Sequence, residues 1–223
     1  MRAAKREIST VFSRASVYAP APMSIAVAVK SQGRVVIACD TKRTFGSGEV
    51  PEANLSDMKL RKVGNSYLAT TGWGLYSNIL DDYLATRRNA RLVDARSIFA
   101  FFRVFWKDLH QRYSFVSDQR HDDESPFGDL DASFLIACPN GIYSVACDMS
   151  VTEFQQYYAI GSGAPYALGA MHALYKESGD PDVVARKATE AAMGLDLYCG
   201  GTVTAFSMRG ATKRGASKRK KKR

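Results

Sequence analysis

Apolar residues form two kinds of pattern along this chain, and the two kinds occur in separate blocks. Short apolar segments typical of β-strands, some alternating and some continuous, occur at residues 24–30, 35–39, 59–63, 66–70, 132–138, 142–147, 157–160 and 202–208. A period of 3.6, typical of amphipathic helices, occurs at residues 75–84, 97–113, 165–176 and 181–194. The blocks run strands, two helices, strands, two helices, strand, which favours an α+β fold over an alternating, doubly wound sheet. Two sheets packed face to face with helices outside would bury all four helix faces, so we predict a four-layer αββα sandwich.

Turn-forming residues separate these blocks. Gly33 divides the first two strands, and Pro139-Asn-Gly141 divides a later pair, as expected for hairpins. Residues 41–58 contain several glycines and a proline, and residues 117–129 are polar and acidic, so we expect mostly loop in both. The second loop includes His121-Asp-Asp-Glu124, whose composition suits a metal, but without a second cluster we expect it to be solvated.

Length and charge narrow the class of protein. The 223 residues suit one domain with a sizeable core, and no apolar run approaches the roughly 20 residues that a membrane-spanning helix needs. The net charge is +9, but the first 23 residues carry four basic and one acidic side chain, and residues 209–223 carry nine basic and no acidic ones. Residues 24–208 are therefore mildly acidic, and the basic charge is confined to the two ends of the sequence.

The four cysteines indicate a reducing compartment. Cys39, Cys138, Cys147 and Cys199 show no C-x-x-C spacing, and three of them lie in apolar runs, where buried thiols are usual. We therefore expect a cytoplasmic protein.

The ends of the sequence differ in composition from the part between them. Residues 1–23 are rich in Arg, Ser and Ala, and we expect a propeptide, a targeting segment, or an untranslated extension if Met23 is the true start. Residues 24–208 are expected to form the folded domain. Residues 209–223 are expected to be a disordered basic tail, because no aromatic residues interleave the basic ones to support nucleic-acid recognition.

Three polar residues stand at the ends of predicted strands. Ser24 opens the first strand, Asp40 ends the second, and Lys59 begins the third. An acid and an amine delivered to the same end as a serine can make its hydroxyl nucleophilic. Because Met23 directly precedes Ser24, cleavage of that one bond would also give Ser24 a free α-amino group, which can serve as its general base.

Five stretches, in this order, resemble proteasome β-type subunits and HslV-type peptidases of the N-terminal nucleophile hydrolase superfamily. The stretches are Ser24 to Asp40-Thr-Lys-Arg-Thr44, Lys59-Leu-Arg-Lys-Val63, Leu68-Ala-Thr-Thr-Gly72, Ala159-Ile-Gly-Ser-Gly-Ala-Pro-Tyr-Ala167 and Asp196-Leu-Tyr-Cys-Gly-Gly201. Each is weak alone, but together they span residues 24–208.

The resemblance implies roles for individual residues. Ser24 takes the place of the N-terminal threonine nucleophile, Asp40 would hold and polarise Lys59, and Ser162 and Asp196 would orient the terminal amine, with Cys199 at the position of another serine in that network. The backbone N–H of Gly72 is the implied oxyanion donor, and Thr44 and Thr71 are implied to line the substrate cleft.

The resemblance also implies an activity and partners. The expected reaction is hydrolysis of peptide or amide bonds through an acyl-enzyme on Ser24, without metal or organic cofactor. We expect stacked homo-oligomeric rings of six or seven subunits, a polypeptide substrate, and no membrane or nucleic-acid partner. An ATP-dependent unfoldase could feed such a ring.

Three departures from the family pattern leave an alternative open. The nucleophile is serine, which lacks the threonine methyl and is expected to be slower on peptide bonds; Met23 replaces the glycine that precedes self-processed nucleophiles; and Cys199 is a weaker donor than serine. The alternative is a catalytically silent ring subunit with a structural role. A third possibility makes the basic tail the functional element, binding nucleic acid or polyanions.

Overall fold

The computed structural model describes residues 24–45, 48–56, 58–113, 130 and 132–211. The predicted leader, the acidic loop at 117–129 and the tail beyond Ala211 lie outside these residues. The elements in order are β1 (Ala26–Ser31), β2 (Arg34–Asp40), β3 (Arg43–Phe45), β4 (Gly48–Val50), a 3-10 turn (Glu52–Asn54), β5 (Leu60–Val63), β6 (Ser66–Gly72), α1 (Gly74–Ala85), α2 (Ala95–Arg112), β7 (Ala132–Cys138), β8 (Gly141–Val145), β9 (Val151–Phe154), β10 (Tyr157–Ile160), α3 (Ala164–Ser178), α4 (Pro181–Leu195) and β11 (Val203–Arg209).

The larger strands form two antiparallel sheets. One has the order β10-β1-β2-β11 and the other the order β5-β6-β7-β8-β9, while β3 and β4 form a separate two-stranded hairpin. A buried cluster with residues from both sheets lies between them, including Ile37 of β2 and Leu135 of β7. Tyr67 of β6 also stacks on Phe206 of β11 with ring centroids 4.6 Å apart, so the two sheets pack face to face.

The helices cover the outer faces of the two sheets. Phe102 and Phe105 of α2 pack with Phe134 of β7 in a cluster that also includes α1. Met171 of α3 and Val184 of α4 pack with the apolar residues of β1 and β2 on the other side. The predicted four-layer αββα sandwich is therefore confirmed.

Polar caps fix where two of the helices begin. The Asp94 carboxylate accepts a hydrogen bond from the Ser97 amide at 2.7 Å, and the Ser97 hydroxyl in turn bonds the Asp94 amide, a reciprocal capping box for α2. Asp180 caps α4, and Pro181 occupies its first turn, where the missing N–H costs nothing.

The structure differs from the sequence prediction in three places. Residues 41–58, expected to be mostly loop, contain the β3–β4 hairpin and a 3-10 turn, which are too short to show a clear apolar period. The edge strand β9 was missed because its central residues, Thr152 and Glu153, are exposed. Strand β11 extends through Arg209, which we had assigned to the tail, and the Gly210 amide still bonds the Gly33 carbonyl at 2.7 Å.

Strand directions bring several termini to one edge of the sandwich. The antiparallel register pairs Ala26 with Cys39 and with Ile160, so the start of β1 lies beside the ends of β2 and β10. Val203 pairs with Asp40, which adds the start of β11 to this edge. In the other sheet, Leu60 at the start of β5 pairs with Ala69 in the middle of β6.

Among the described residues, no helix combines the length and the apolar character needed to cross a membrane.

The inter-sheet cluster is expected to dominate stability. Leu135→Ala removes a fully buried side chain between the two sheets, so the free energy of unfolding should fall by about 2–5 kcal/mol. Val104→Ala on the exposed side of α2 is the matched control and should change it by less than about 0.5 kcal/mol. Urea unfolding measures both; equal losses would contradict the placement of the core.

Candidate active site

Three predicted residues meet at the edge where β1, β2 and β5 converge. The Lys59 ammonium donates to Ser24 Oγ and to Asp40 Oδ1, both at 2.7 Å, and the Ser24 hydroxyl donates to Asp40 Oδ1 at 2.9 Å. Ser24 lies two residues before β1, Asp40 is the last residue of β2, and Lys59 directly precedes β5. Lys59 thus crosses from one sheet to the other, and the pairing of these residues depends on both sheets.

The Asp40 carboxylate is fully buried and has four hydrogen-bond donors. Besides Ser24 and Lys59, the Ile25 amide donates to Oδ1 at 3.2 Å and the Gly200 amide donates to Oδ2 at 3.1 Å. A buried carboxylate is costly unless it is paired and hydrogen-bonded, and here the lysine and the two amides supply that compensation. The carboxylate is therefore held rigidly, and its hydrogen bonds fix the positions of Ser24 and Lys59.

This arrangement can activate the serine. Ser24 is 4% exposed and the Lys59 side chain is 10% exposed, so the cation acts on Ser24 Oγ largely out of water, where electrostatic interactions are stronger than in bulk solvent. A lysine ammonium donating to a serine oxygen stabilises negative charge that develops on that oxygen. The geometry thus suits a nucleophilic hydroxyl.

The Gly161-Ser162-Gly163 turn after β10 supports the main chain of Ser24. The Ser24 carbonyl oxygen accepts from the Gly163 amide at 3.3 Å and from the Ser162 hydroxyl at 3.5 Å. Gly161 has φ of +104°, and a Cβ at this position would lie 2.1 Å from that carbonyl oxygen. Glycine is required here for both reasons, because it allows the turn to approach Ser24 closely.

Asp196 and Cys199 lie between α4 and β11, and they differ in how they relate to Ser24. The Asp196 carboxylate accepts from the Tyr198 amide at 2.7 Å, and its carbonyl accepts from the Cys199 amide at 3.1 Å, so both of these acceptors are bonded within its own loop. Cys199 is buried against the Gly163 turn, since a Cβ on Gly163 would lie 2.8 Å from its sulfur.

The Cys199 thiol is neutral at physiological pH. Burial is the largest cause that raises its pKa to about 12, and the negative charges of Asp40 and Asp196 raise it further, against the lowering effects of Ser162 and Lys59. A neutral thiol is a weak hydrogen-bond partner, so Cys199 contributes less to this network than a serine would.

The predicted cleft residues occupy different places. Gly72 ends β6 with φ of +119°, and the buried Thr71 precedes it. Thr71 Cγ2 would lie 3.2 Å from a Cβ on Gly161, which places Thr71 beside the turn that supports Ser24. Thr44 lies in β3, paired with Glu49 of β4, in the hairpin rather than in the main sheets.

Two functional contributions were missed by sequence reasoning. The Gly200 amide bonds Asp40, and the Gly200 carbonyl accepts from the Lys42 amide at 3.0 Å. The Lys42 ammonium bonds the Leu197 carbonyl at 3.1 Å and pairs with Glu49 at 3.2 Å, which ties the hairpin to the loop before β11. The only sequence signal was position, because Lys42 follows Asp40 by two residues and Gly200 acts through its backbone.

In the described part of the chain, no group of three His, Cys, Asp or Glu side chains is placed to hold a metal ion.

The close approach at Gly161 can be tested with a paired substitution. Gly161→Ala should lower the free energy of unfolding by more than about 2 kcal/mol, because the methyl group would overlap backbone atoms of Ser24 at a positive φ. Gly169→Ala, on the exposed face of α3 with nothing near its Cβ, should raise it by about 0.5–1 kcal/mol. Thermal or urea unfolding distinguishes them; a stable Gly161→Ala protein would contradict the packing.

The raised pKa of Cys199 can be tested by alkylation with iodoacetamide. Only about one in ten thousand thiols with a pKa of about 12 is ionised at pH 8, so Cys199 should stay unmodified in the folded protein. The exposed Cys147 should react, and in urea all four cysteines should react. Peptide mass mapping reads the result; rapid modification of Cys199 in the native state would contradict its burial.

Comparison with solved structures identifies the fold and its relatives. The chain is similar to Thiobacillus denitrificans BPH, with 33% sequence identity, a TM-score of 0.76, and coverage of 84% of this chain and 98% of that one. The same protein has been solved in complex with epoxomicin, with equal identity and TM-score and 100% of that chain covered. The fold is also that of eukaryotic HslV from Trypanosoma brucei, at 18% identity and a TM-score of 0.61, covering 83% of this chain and 99% of that one.

Curated relatives agree with the structures. The chain is 26% identical over 184 residues to the ATP-dependent protease subunit HslV of Caldicellulosiruptor saccharolyticus, covering 82% of this chain and 96% of the relative. It is 22% identical over 216 residues to the proteasome subunit beta of Nanoarchaeum equitans, covering 88% of this chain and 96% of the relative. No protein-family model matches the chain. On the strength of the 33% identity across almost the whole of a solved relative, and of the shared fold, the chain belongs to the proteasome β/HslV-like family of N-terminal nucleophile hydrolases.

Proposed function

We propose that residues 24–208 form a peptidase domain in which Ser24, once it is the N-terminal residue, is the nucleophile. The observation that carries this proposal is the position of Ser24 Oγ, 2.7 Å from Lys59 Nζ and 2.9 Å from Asp40 Oδ1. In this proposal residues 1–22 are either removed or not translated, and Met23 is removed. Membership in a family of proteasome-type peptidases supports the reaction class.

The first half of the reaction forms an acyl-enzyme. The neutral α-amine of Ser24 takes the proton of the Ser24 hydroxyl as Oγ attacks the carbonyl carbon of the peptide bond. The C–N bond then breaks, the proton passes from the α-ammonium to the leaving amine, and the acyl group remains as an ester on Oγ. In the second half, the α-amine takes a proton from water, the resulting hydroxide attacks the ester, and Oγ leaves and regains the proton.

Lys59 and Asp40 influence both the α-amine and the hydroxyl of Ser24. An α-amine ordinarily titrates at about 7.7–8.0, so a substantial fraction is already neutral at physiological pH. The Lys59 cation disfavours protonation of a neighbouring amine and stabilises a developing alkoxide, while Asp40 keeps Lys59 in place.

The remaining predicted site residues have one of two proposed roles: some contact the substrate, and others surround the α-amine of Ser24. The Gly72 amide is the proposed oxyanion donor, and one such donor typically contributes about 2.7–4 kcal/mol to lowering the barrier. The Ser162 hydroxyl donates a hydrogen bond to the Ser24 carbonyl oxygen. We assign Ser162, Asp196 and Cys199 to the environment of the α-amine of Ser24. Thr71 and Thr44 are proposed to border the space that the substrate occupies.

We further propose a ring assembly that encloses these sites. The relatives named as an HslV subunit and a proteasome subunit support stacked rings of this chain with polypeptide substrates. The description of one relative as ATP-dependent supports an unfoldase partner. The buried thiols of Cys39, Cys138 and Cys199 support a reducing, cytoplasmic location.

Substitutions at the proposed nucleophile and lysine test the function. Ser24→Ala should reduce peptide hydrolysis by at least a thousandfold, and Lys59→Met by about a hundredfold or more, because they remove the nucleophile and its charge partner. Lys62→Met is the matched control, since Lys62 is an exposed lysine in β5, the strand that Lys59 precedes, and it should change activity less than twofold. A fluorogenic peptide series read with purified, mass-verified protein measures all three.

Epoxomicin supplies a second readout that does not depend on the choice of peptide. Because it binds the solved relative, it should raise the melting temperature of the protein with Ser24 and have a smaller effect on Ser24→Ala. Undiminished hydrolysis by Ser24→Ala would overturn the proposal. Absence of both hydrolysis and epoxomicin binding would favour the silent ring subunit.

A further inference from the structure

The Thr71 side chain is buried without a hydrogen-bond partner beside the reacting residue. Thr71 is 3% exposed, and its Oγ1 has no hydrogen-bond partner among the described residues. Burying a hydroxyl without a partner is destabilising, and valine would fill the same space in a strand without that cost. A hydrogen-bond partner that is present in another state of the protein would remove this cost.

The location of Thr71 limits what that partner can be. A Cβ on Gly161 would lie 2.1 Å from the Ser24 carbonyl oxygen and 3.2 Å from Thr71 Cγ2, so Thr71 and the main chain of Ser24 border the same small space beside Gly161. Because Oγ1 is shielded from solvent, its partner must be a group inside the site rather than one at the mouth of the cleft.

The groups of Ser24 that already have partners narrow the choice further. Its hydroxyl is bonded to Lys59 and Asp40, and its carbonyl accepts from the Gly161–Gly163 turn. The group that changes when Ser24 becomes N-terminal is its nitrogen, which gains hydrogens that need acceptors.

The residues assigned to hold this nitrogen are weakly suited to do so alone. The Asp196 carboxylate accepts from the Tyr198 amide, and Cys199 presents a neutral thiol where the family resemblance expects a serine. Ser162 is the remaining hydroxyl, and it bonds the Ser24 carbonyl at 3.5 Å. The charged groups that contact Ser24 are Lys59 and Asp40, while Asp196 is the charged residue of the loop that carries Cys199.

We propose that the Thr71 hydroxyl accepts a hydrogen bond from the α-amino group of N-terminal Ser24 and so turns the nitrogen lone pair toward Ser24 Oγ. This role rests on the proposed function, since it requires Ser24 to be N-terminal. Thr71 is then a positioning residue for the general base, and its hydroxyl acquires its partner only in the processed protein.

Activity and its pH dependence provide the first test. Thr71→Val should lower kcat about tenfold with little change in KM, because the base loses its orientation while valine keeps the side-chain volume that borders the substrate space. An N–H acceptor favours the ammonium form, so its loss should also move the acidic limb of the kcat/KM profile to lower pH. Thr71→Ser should restore both values. Parental kcat and pH profile in Thr71→Val would overturn the role of Thr71, while loss of activity in Ser24→Ala would leave the proposed function standing.

Stability provides a second test that does not need an active enzyme. In a chain that begins at Ser24, Thr71→Val should lower the melting temperature by a few degrees, because a hydrogen bond is lost. In the full chain, with the residues upstream of Ser24 still attached, Thr71→Val should leave the melting temperature unchanged or raise it. Intact mass verifies which form is measured. The same shift in both forms would overturn the proposal.

Thr189→Val is the matched control for both tests. Thr189 is a buried threonine in α4 whose hydroxyl already donates to the Ala185 carbonyl at 2.9 Å. Thr189→Val should change the melting temperature equally in the chain that begins at Ser24 and in the full chain. It should leave the pH profile of kcat/KM unchanged. A shifted pH profile in this control as well would assign the effect of Thr71→Val to general destabilisation and overturn the proposal.

Discussion

The buried carboxylate of Asp40 is the interaction on which the rest of the site depends. It is removed from solvent at the edge of the sandwich, and its charge is balanced by Lys59 from the other sheet and by amides from two other segments. Removing any one donor would leave a buried charge partly uncompensated, which is far more costly than losing a surface ion pair. The same contacts that stabilise the carboxylate therefore fix the position of Ser24.

This arrangement explains why the αββα architecture suits such a site. Antiparallel pairing brings the start of β1 beside the ends of β2 and β10, and face-to-face packing brings β5 close enough for Lys59 to reach across. Gly161 then allows its turn to approach the Ser24 backbone, Gly163 leaves room for Cys199, and Gly200 leaves room for the Lys42 side chain. The loop before β11 is in turn held by Lys42, so the hairpin, the loop and the carboxylate form one connected unit.

Much of the fold and part of the site could be predicted from the sequence, because both depend on local patterns. The periods of the apolar residues identified the four helices and most of the strands, and strand ends identified Ser24, Asp40 and Lys59. Strand β9 and the β3–β4 hairpin could not be found this way, since their residues are exposed or too few to show a period. Gly200 acts through an amide and Thr71 is notable for a missing partner, and neither property can be read from residue type. The Asp196 carboxylate accepts a hydrogen bond from the Tyr198 amide. This bond follows from the local turn, so the motif alone could not predict it.

The central claim is that Ser24 acts with its own α-amino group, and the most direct measurement is the N-terminal residue of the protein that hydrolyses peptide. Intact mass and N-terminal sequencing of the active, natively expressed protein should give a chain that begins at Ser24. An active chain that retains Met23 or any residue before it would have no free α-amine on Ser24, and would contradict the account.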